Sequence, residues 1–484
     1  MVSNIVLSNL TTPPTPGTSS PIIGTRSDLR GGVRGGGGGG GPTPDGLFDL
    51  STIQYLGAFL IPPMDVNGHR HRIGFNPPNG SNGTYGSIWS SGSVSTSGSR
   101  LYVAEYQIPA SLSDPSVNDP SLLSDAVKLQ DYVSAYDLTG GDGYSVFNDY
   151  MGMLSTINGK LFMGCSYSYN GSNGDNLNQW AVFDDPTDIA NSTIYWTRSI
   201  GGFDQICQWC NEIPSDYKSV LGGDYLTGGA TGQMSRTERL SFGPALYRTA
   251  LEDYTLGDSN VPHTEYMMFK PSQNPMPRDL FPTPAREIFR AQLPCDGYNQ
   301  LTAFHYFDQL GITTEQEYTN WCLSNPRTEF NTLTYRPDSI VNDLWNFESE
   351  AATGFIVPGS RTYLVVGTNG GLRWGAGYKA YEFDRTKSEG PSPLDSADKD
   401  QYYWAFDMDE ILAAANPYDV LPYDRGIWQS NIWKIDQGQF NQPIGLIMNG
   451  FFDNANRRLY LSHARIPKPG STISKSTLVS VYQF

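Results

Sequence analysis

Short apolar and aromatic runs alternate with clusters of Gly, Asn, Asp, Ser and Pro along most of the chain. The run at 53–61 (IQYLGAFLI) is stopped by Pro62-Pro63, and residues 85–91, 100–107 and 132–137 continue the rhythm. Runs this short, rich in Tyr, Val, Ile and Phe and bounded by turn residues, predict strands. Residues 161–169 and 179–183 read as a hairpin around the turn cluster NGSNGD at 170–175. Further strands are expected at 195–200, 264–269, 354–357, 362–367, 379–383, 402–407, 432–435, 443–449, 458–463 and 477–484. One pattern recurs four times: a polar turn, a basic or hydroxyl residue, then an apolar run. It occurs at SGSR-LYVA (97–104), INGK-LFMG (157–164), PGSRT-YLVV (358–366) and FDNANRRLYLSH (452–463). The repetition makes Arg457, Arg458 and His463 punctuation of a turn and its strand rather than a site.

Helical signals are few. Residues 119–131 carry a short helical pattern, 203–220 leave room for a turn or two, and Thr314-Glu315-Gln316-Glu317 is a capping box that starts a helix to about Leu323. Residues 407–415 form a short helix capped by Asp407 or Asp409. Residues 67–84 read as a polar loop, 222–232 as a glycine-rich loop, and 270–348 as an irregular insertion. About twenty short strands with a repeated unit predict an all-β protein, propeller-like, with about five to seven blades. The strand at 477–484 would complete the blade begun by 53–61. The alternative from the same pattern is two β-sandwich domains.

Residues 1–46 differ from the rest. They are rich in Thr, Pro, Ser and Gly, contain GGVRGGGGGGGP at 31–42, and bury too little apolar surface to offset ordering entropy. They are expected to be a flexible arm before a folded region at 47–484, with Ile5, Val6 and Leu7 as an apolar tip that docks on a neighbouring subunit. The N-terminus lacks the basic and long apolar regions of a secretory signal.

Composition narrows the function classes. The net charge is −17, from 32 basic and 49 acidic residues, which argues against nucleic acid and anionic membrane as partners. No run of 18 apolar residues exists, so no membrane-spanning helix is expected. Five cysteines (Cys165, Cys207, Cys210, Cys295 and Cys322) cannot all pair, and Cys207-Gln208-Trp209-Cys210 is a lone CxxC without further ligands at zinc spacing. It reads as structural.

No nucleophile-elbow, zinc-protease, phosphate-loop or dinucleotide motif stands in its required context. His69-Arg70-His71 is a weak metal seed, and the Asp-rich loop at 114–119 lacks a full calcium ligand set, so no cofactor is expected. Carboxylates are too many for a glycosidase pair to be chosen. The binding candidates are Trp374, Tyr378, Trp428 and Trp433, aromatics set among small polar residues and suited to stacking on a sugar.

The order YLGAFLIPP, RLYVAEYQIP, NGKLFMGCSY, RLSFGPALY, YLVVGTNGG with GAGY, YYWAFDMDEILAA and NANRRLYLSHAR resembles a group of uncharacterised, propeller-like bacterial proteins over about residues 50–470. That resemblance implies a propeller-like fold and no established activity. The chain departs from the group in carrying the Gly-rich arm where an export signal would stand. In that respect, and in its acidity and its charged fraction of only 17%, it resembles bacteriophage virion proteins of the tail or decoration kind. The expectation is a structural or host-adsorption component of a virion, a homo-oligomer or a subunit among neighbours, with a host-surface glycan as candidate ligand. The alternative is an extracellular or cell-surface carbohydrate-active lyase or hydrolase, or a non-catalytic glycan-binding module.

Overall fold

The computed structural model describes residues 44–62, 72–94, 100–117, 119–135, 150–166, 178–199, 206–229, 244–267, 350–370, 399–417, 420–429, 432–433, 445–466 and 476–484. Twenty strands among them form five antiparallel meanders of four. β1 (Gln54–Ile61) belongs to the last of these. β2 (Ile73–Asn76), β3 (Ser87–Val94), β4 (Arg100–Gln107) and β5 (Lys128–Ser134) make the first blade. The second is β6 (Tyr150–Ile157), β7 (Lys160–Ser166), β8 (Asn178–Phe183) and β9 (Ile194–Ser199). The third is β10 (Trp209–Glu212), β11 (Tyr225–Gly228), β12 (Leu246–Thr249) and β13 (His263–Met267). The fourth is β14 (Glu350–Ile356), β15 (Thr362–Gly370), β16 (Lys399–Asp407) and β17 (Asp424–Ile427). The fifth is β18 (Ile447–Asp453), β19 (Arg458–Ile466) and β20 (Ser476–Gln483), completed by β1 from the other end of the chain. The fold is all-β and propeller-like.

The first strand of each blade lines the ring. β2 packs on β6, β6 on β10, β10 on β14, β14 on β18, and β18 on β2, which closes the circle. β2 and β6 lie parallel, with Phe75 opposite Ser155, and join two blades into one eight-stranded sheet. Closure of the fifth blade is an antiparallel pairing of β1 with β20 from Gln54↔Gln483 to Ile61↔Thr477. The expected pairing of the 53–61 strand with the C-terminal strand is therefore what the fold uses. The segment before β5 holds β1 from its other side, through Leu60 N–H to Ser124 O and Ala126 N–H to Leu60 O.

Among the described residues the hydrophobic core includes five wedges, one between each pair of consecutive blades, and a smaller cluster of Ala58, Leu60, Leu123, Trp433 and Leu478. Trp89, Val103, Leu154 and Met163 fill the first seam, and Met153, Phe162, Trp180 and Tyr247 the second. Trp209, Leu226, Tyr363 and Trp404 fill the third, and Phe355, Leu364, Leu461 and Tyr482 the fourth. Phe59, Ile88, Tyr460 and Val479 fill the last. Each sheet is covered on both faces, so its strands read as unbroken apolar runs such as Tyr363-Leu364-Val365-Val366 rather than as alternation.

Three of the four repeated turns join the first strand of a blade to the second. Asn158-Gly159 connects β6 to β7 with φ of 48° and 71°, the left-handed pair that a two-residue hairpin turn needs. The Pro358-Gly359 turn connects β14 to β15, and Asp453–Arg458 connects β18 to β19. The copy at 97–100 lies elsewhere, between the second and third strands of the first blade. Two helices occur among the described residues: α1 (Ser215–Leu221), and α2 (Met408–Ala413), where Asp407 caps by accepting from the Asp409 N–H at 3.0 Å.

Several expectations change. The helical pattern at 119–131 is only a 3₁₀ turn at Pro120–Leu122 before β5, because Pro120 fits a first turn but the following residues pair with β4 and β1 instead. The polar loop at 67–84 contains β2, and the glycine-rich loop at 222–232 contains β11. The run at 432–435 is not a strand where it is described, since Ile432-Trp433 is a turn. The arm up to residue 43, the insertion expected at 270–348 with its capping box, and the expected strand at 379–383 lie outside the described residues.

The ring is narrow enough to dictate sequence. A Cβ on Gly152 would stand 1.7 Å from the Cys207 carbonyl oxygen, and one on Gly74 would stand 1.7 Å from that of Leu154. Backbone meets backbone at both points, so neither neighbour can yield by rotating a side chain. Gly152→Ala is expected to lose about 3 kcal/mol, read as a lowered urea midpoint with unchanged slope. Gly46→Ala, in open space, should leave the midpoint unchanged within about 0.5 kcal/mol.

Candidate functional site

Polar side chains gather where the inner strands converge. β10 and β18 approach each other across the ring, and asparagines bridge them. Asn449 of β18 accepts from the Ile73 N–H of β2 at 3.1 Å and donates to the carbonyls of Gln208 at 3.1 Å and Ala352 at 3.3 Å. Asn211 of β10 accepts from the Phe452 N–H at 2.7 Å and donates to Thr353 Oγ1 at 3.0 Å and Gly354 O at 2.8 Å. Both asparagines are buried. Together they tie four of the five inner strands, and Arg72, just before β2, adds a guanidinium hydrogen bond to Met448 O. An amide side chain suits this place because inner-strand N–H and C=O groups face a partner too close for another strand and too buried for water.

Two hydroxyl–imidazole contacts occur among the described residues. Ser480 donates to His463 Nε2 at 2.7 Å, while His463 Nδ1–H donates to Gly445 O at 2.8 Å. This pairing has the form used by serine nucleophiles, with a carbonyl in place of the orienting carboxylate. Ser480 and His463 are fully buried in the seam between the fourth and fifth blades, so no substrate reaches the hydroxyl. Burial pulls the His463 ring down to about 4, partly opposed by its hydrogen bond to Gly445, and keeps it neutral. In the second contact, Ser199 Oγ lies 2.6 Å from His263 Nδ1 and 2.8 Å from Val261 O. A single hydroxyl proton satisfies both only if His263 Nδ1–H donates to Ser199 and Ser199 donates to Val261 O. In that tautomer the ring is no base toward the hydroxyl.

Glu105 is a buried carboxylate held by neutral donors: Asn76 Nδ2 at 2.8 Å, Gln130 Nε2 at 2.6 Å, and the Ser87 hydroxyl. Gln130 also reaches Pro186 O at 2.9 Å and accepts from the Ile189 N–H at 2.9 Å. This network stitches the first blade to the second. Its oxygens are already taken up by protein donors.

The aromatic candidates separate into two groups. Trp428 and Trp433 are 2% and 1% exposed, which corrects the expectation of a stacking platform at these positions. Trp428 packs edge-on against Tyr482, and Trp433 Nε1 donates to the Tyr55 hydroxyl at 3.1 Å, so their faces serve the closing blade. Trp374 and Tyr378, like Ile5, Val6 and Leu7, lie outside the described residues. So do His69 and His71.

The other motifs are structural. Cys165, Cys207 and Cys210 are buried, and Cys207 Sγ donates to Cys165 O at 3.2 Å. Burial raises the Cys165 and Cys210 thiols above their ordinary range, which makes both inert. Cys295 and Cys322 are outside the described residues. Asp114 and Asp119 each hold a turn by accepting from the N–H two residues on, at 2.8 Å. No group of three metal-ligating side chains occurs among the described residues. Arg457 sits at φ 54° and donates to Phe484 O at 3.2 Å, and Arg458 lies over the Tyr85 ring at 4.2 Å. Both are structural parts of the turn, as the repeat implied.

Asn211 and Asn449, the central residues of this region, were missed in the sequence. The signal for them was an asparagine inside an apolar stretch: WCNE at 209–212 and IMNGFF at 447–452. Neither a family model nor a curated protein matches this chain.

Asn449→Ala removes the acceptor for one buried N–H and the donor for two carbonyls. It is expected to cost about 3 kcal/mol by urea unfolding. Asn454→Ala, which loses one exposed bond to Glu212 O, should cost less than about 1 kcal/mol.

Proposed function

We propose that the protein is a structural or host-adsorption component of a virion or similar extracellular assembly. The ring serves as a platform, and the N-terminal arm attaches it to neighbouring subunits. The observation that supports this reading is the segregation of charge. Residues 1–43 hold three arginines and one aspartate, which leaves 29 basic and 48 acidic residues in 44–484 out of totals of 32 and 49. A cationic, glycine-hinged arm with an apolar tip is attracted to the acidic body of any neighbour of the same kind. The use of polar clusters for cohesion between blades agrees with a scaffold role.

The test is assembly of the full-length chain. The triple variant Ile5→Asp, Val6→Asp, Leu7→Asp is expected to sediment as a smaller species than wild type at about 0.15 M salt. Raising salt to about 1 M should weaken wild-type assembly. A wild-type chain that is a lone monomer at every concentration, or a variant that assembles as wild type does, would overturn the reading.

A glycan-binding role keeps one supporting observation. Trp374 and Tyr378 belong to the connection from β15 to β16. Antiparallel order puts the strand ends that bound this connection at the end of the ring where every inner strand starts, the same end that receives the 268–349 connection. If a surface glycan is bound there, Trp374→Ala should lower affinity on a glycan array by about tenfold. Unchanged binding would remove Trp374 from the site.

A further inference from the structure

We infer that His463 is an acid-sensitive latch, and that its protonation opens the ring at the seam between the fourth and fifth blades before the other seams yield. The inference concerns the fold's own response to acid and does not depend on the role proposed above.

The geometry places His463 in the blade that closes the ring. The fifth blade is the one assembled from both ends of the chain, with β1 paired to β20. His463 ties together three parts of this blade: β19, on which it stands, Gly445 at the entry to β18, whose carbonyl accepts from Nδ1–H, and Ser480 of β20, which meets Nε2. Gln401 Nε2 of β16, in the fourth blade, donates to the same Gly445 oxygen at 2.8 Å and carries the network across the seam.

Among the described residues, no carboxylate is placed to balance a positive charge on the ring. Ile447 of β18 and Leu478 of β20 are its cross-strand partners. The other side chains facing it are Ser480 and Gln401, which do not titrate. Asp400 precedes Gln401 on β16, and alternation turns it to the opposite face. Arg72, which meets β18 at Met448 O, is itself cationic. The influences on the ring are burial and the Gly445 carbonyl, with no carboxylate among them. An imidazolium here is a buried, unpaired charge, and separation of the blades would solvate it.

The sign follows from linkage. The folded ring titrates at about 4, below the ordinary 6.5 of an exposed histidine. The latch therefore holds fully above pH 6.5 and weakens as pH falls through that window, reaching its limit near pH 4. Each unit in the window favours the open form about tenfold, so opening at pH 4.5 should rise about 100-fold over pH 7.

Hydrogen–deuterium exchange of the full-length chain, corrected for intrinsic rates, reads this directly. Between pH 7 and 4.5, amides of β1 and β18–β20 should lose about 100-fold protection while those of β6–β8 change far less. His463→Gln, which keeps a donor without a titrating ring, should abolish the difference. Equal loss over all blades in wild type, or no loss, would overturn the inference whether or not the variant folds. So would a folded variant that keeps the pH dependence.

Discussion

The approach of the five inner strands, backbone against backbone, is the constraint on which the rest of this structure depends. Gly74 and Gly152 have carbonyl oxygens where a side chain would begin, and β10 reaches β18 across the ring. At those approaches there is no room for a side chain. Backbone polar groups of the inner strands still need partners, and the asparagines at 211 and 449 supply several of them. The hydrophobic effect then acts further out, in five wedges between blades. Each wedge is a sheet-on-sheet contact, and removing any one would leave two apolar faces in water.

The same constraint explains what was legible in the sequence. The second and third strands of the blades were visible, including β4, β7, β8, β15, β16, β19 and β20, because each is a long run buried on both faces between turn residues. Of the inner strands, β14 and β18 were visible in part, at 354–357 and 443–449, and the other three were not. β2 is IGFN, β6 is YMGMLSTI and β10 is WCNE, and glycine or a polar residue interrupts each one. Those interruptions are what the ring demands, so the strands nearest the axis look least like strands. β11 and β17 were missed because they are four residues long and carry glycine.

Site residues were harder still. Trp428 and Trp433 stand among Gly, Ser, Asn and Gln in the sequence, and local polarity suggested exposure. Their burial comes from contacts with Tyr482 and Tyr55, distant in sequence, through the closing of the ring. Local context carries no record of such contacts. The Asx turn at Asp453 shows the opposite case. There the partners are two or three residues away, and the sequence pattern and the structure agree. The two ends of the ring also differ in a way that bears on function. Most of the first-to-second strand connections are tight and tied by hydrogen bonds, whereas the connections of 268–349 and 371–398 both join at the other end.

A cooperative polar network along the inner strands requires its two asparagines to be energetically coupled. A double-mutant cycle on Asn211 and Asn449, each changed to Ala and both together, measures this by equilibrium unfolding. Because Asn211 and Asn449 bridge the same three strands, β10, β14 and β18, a coupling energy of about 1 kcal/mol or more is expected. Additivity within about 0.3 kcal/mol would contradict the account.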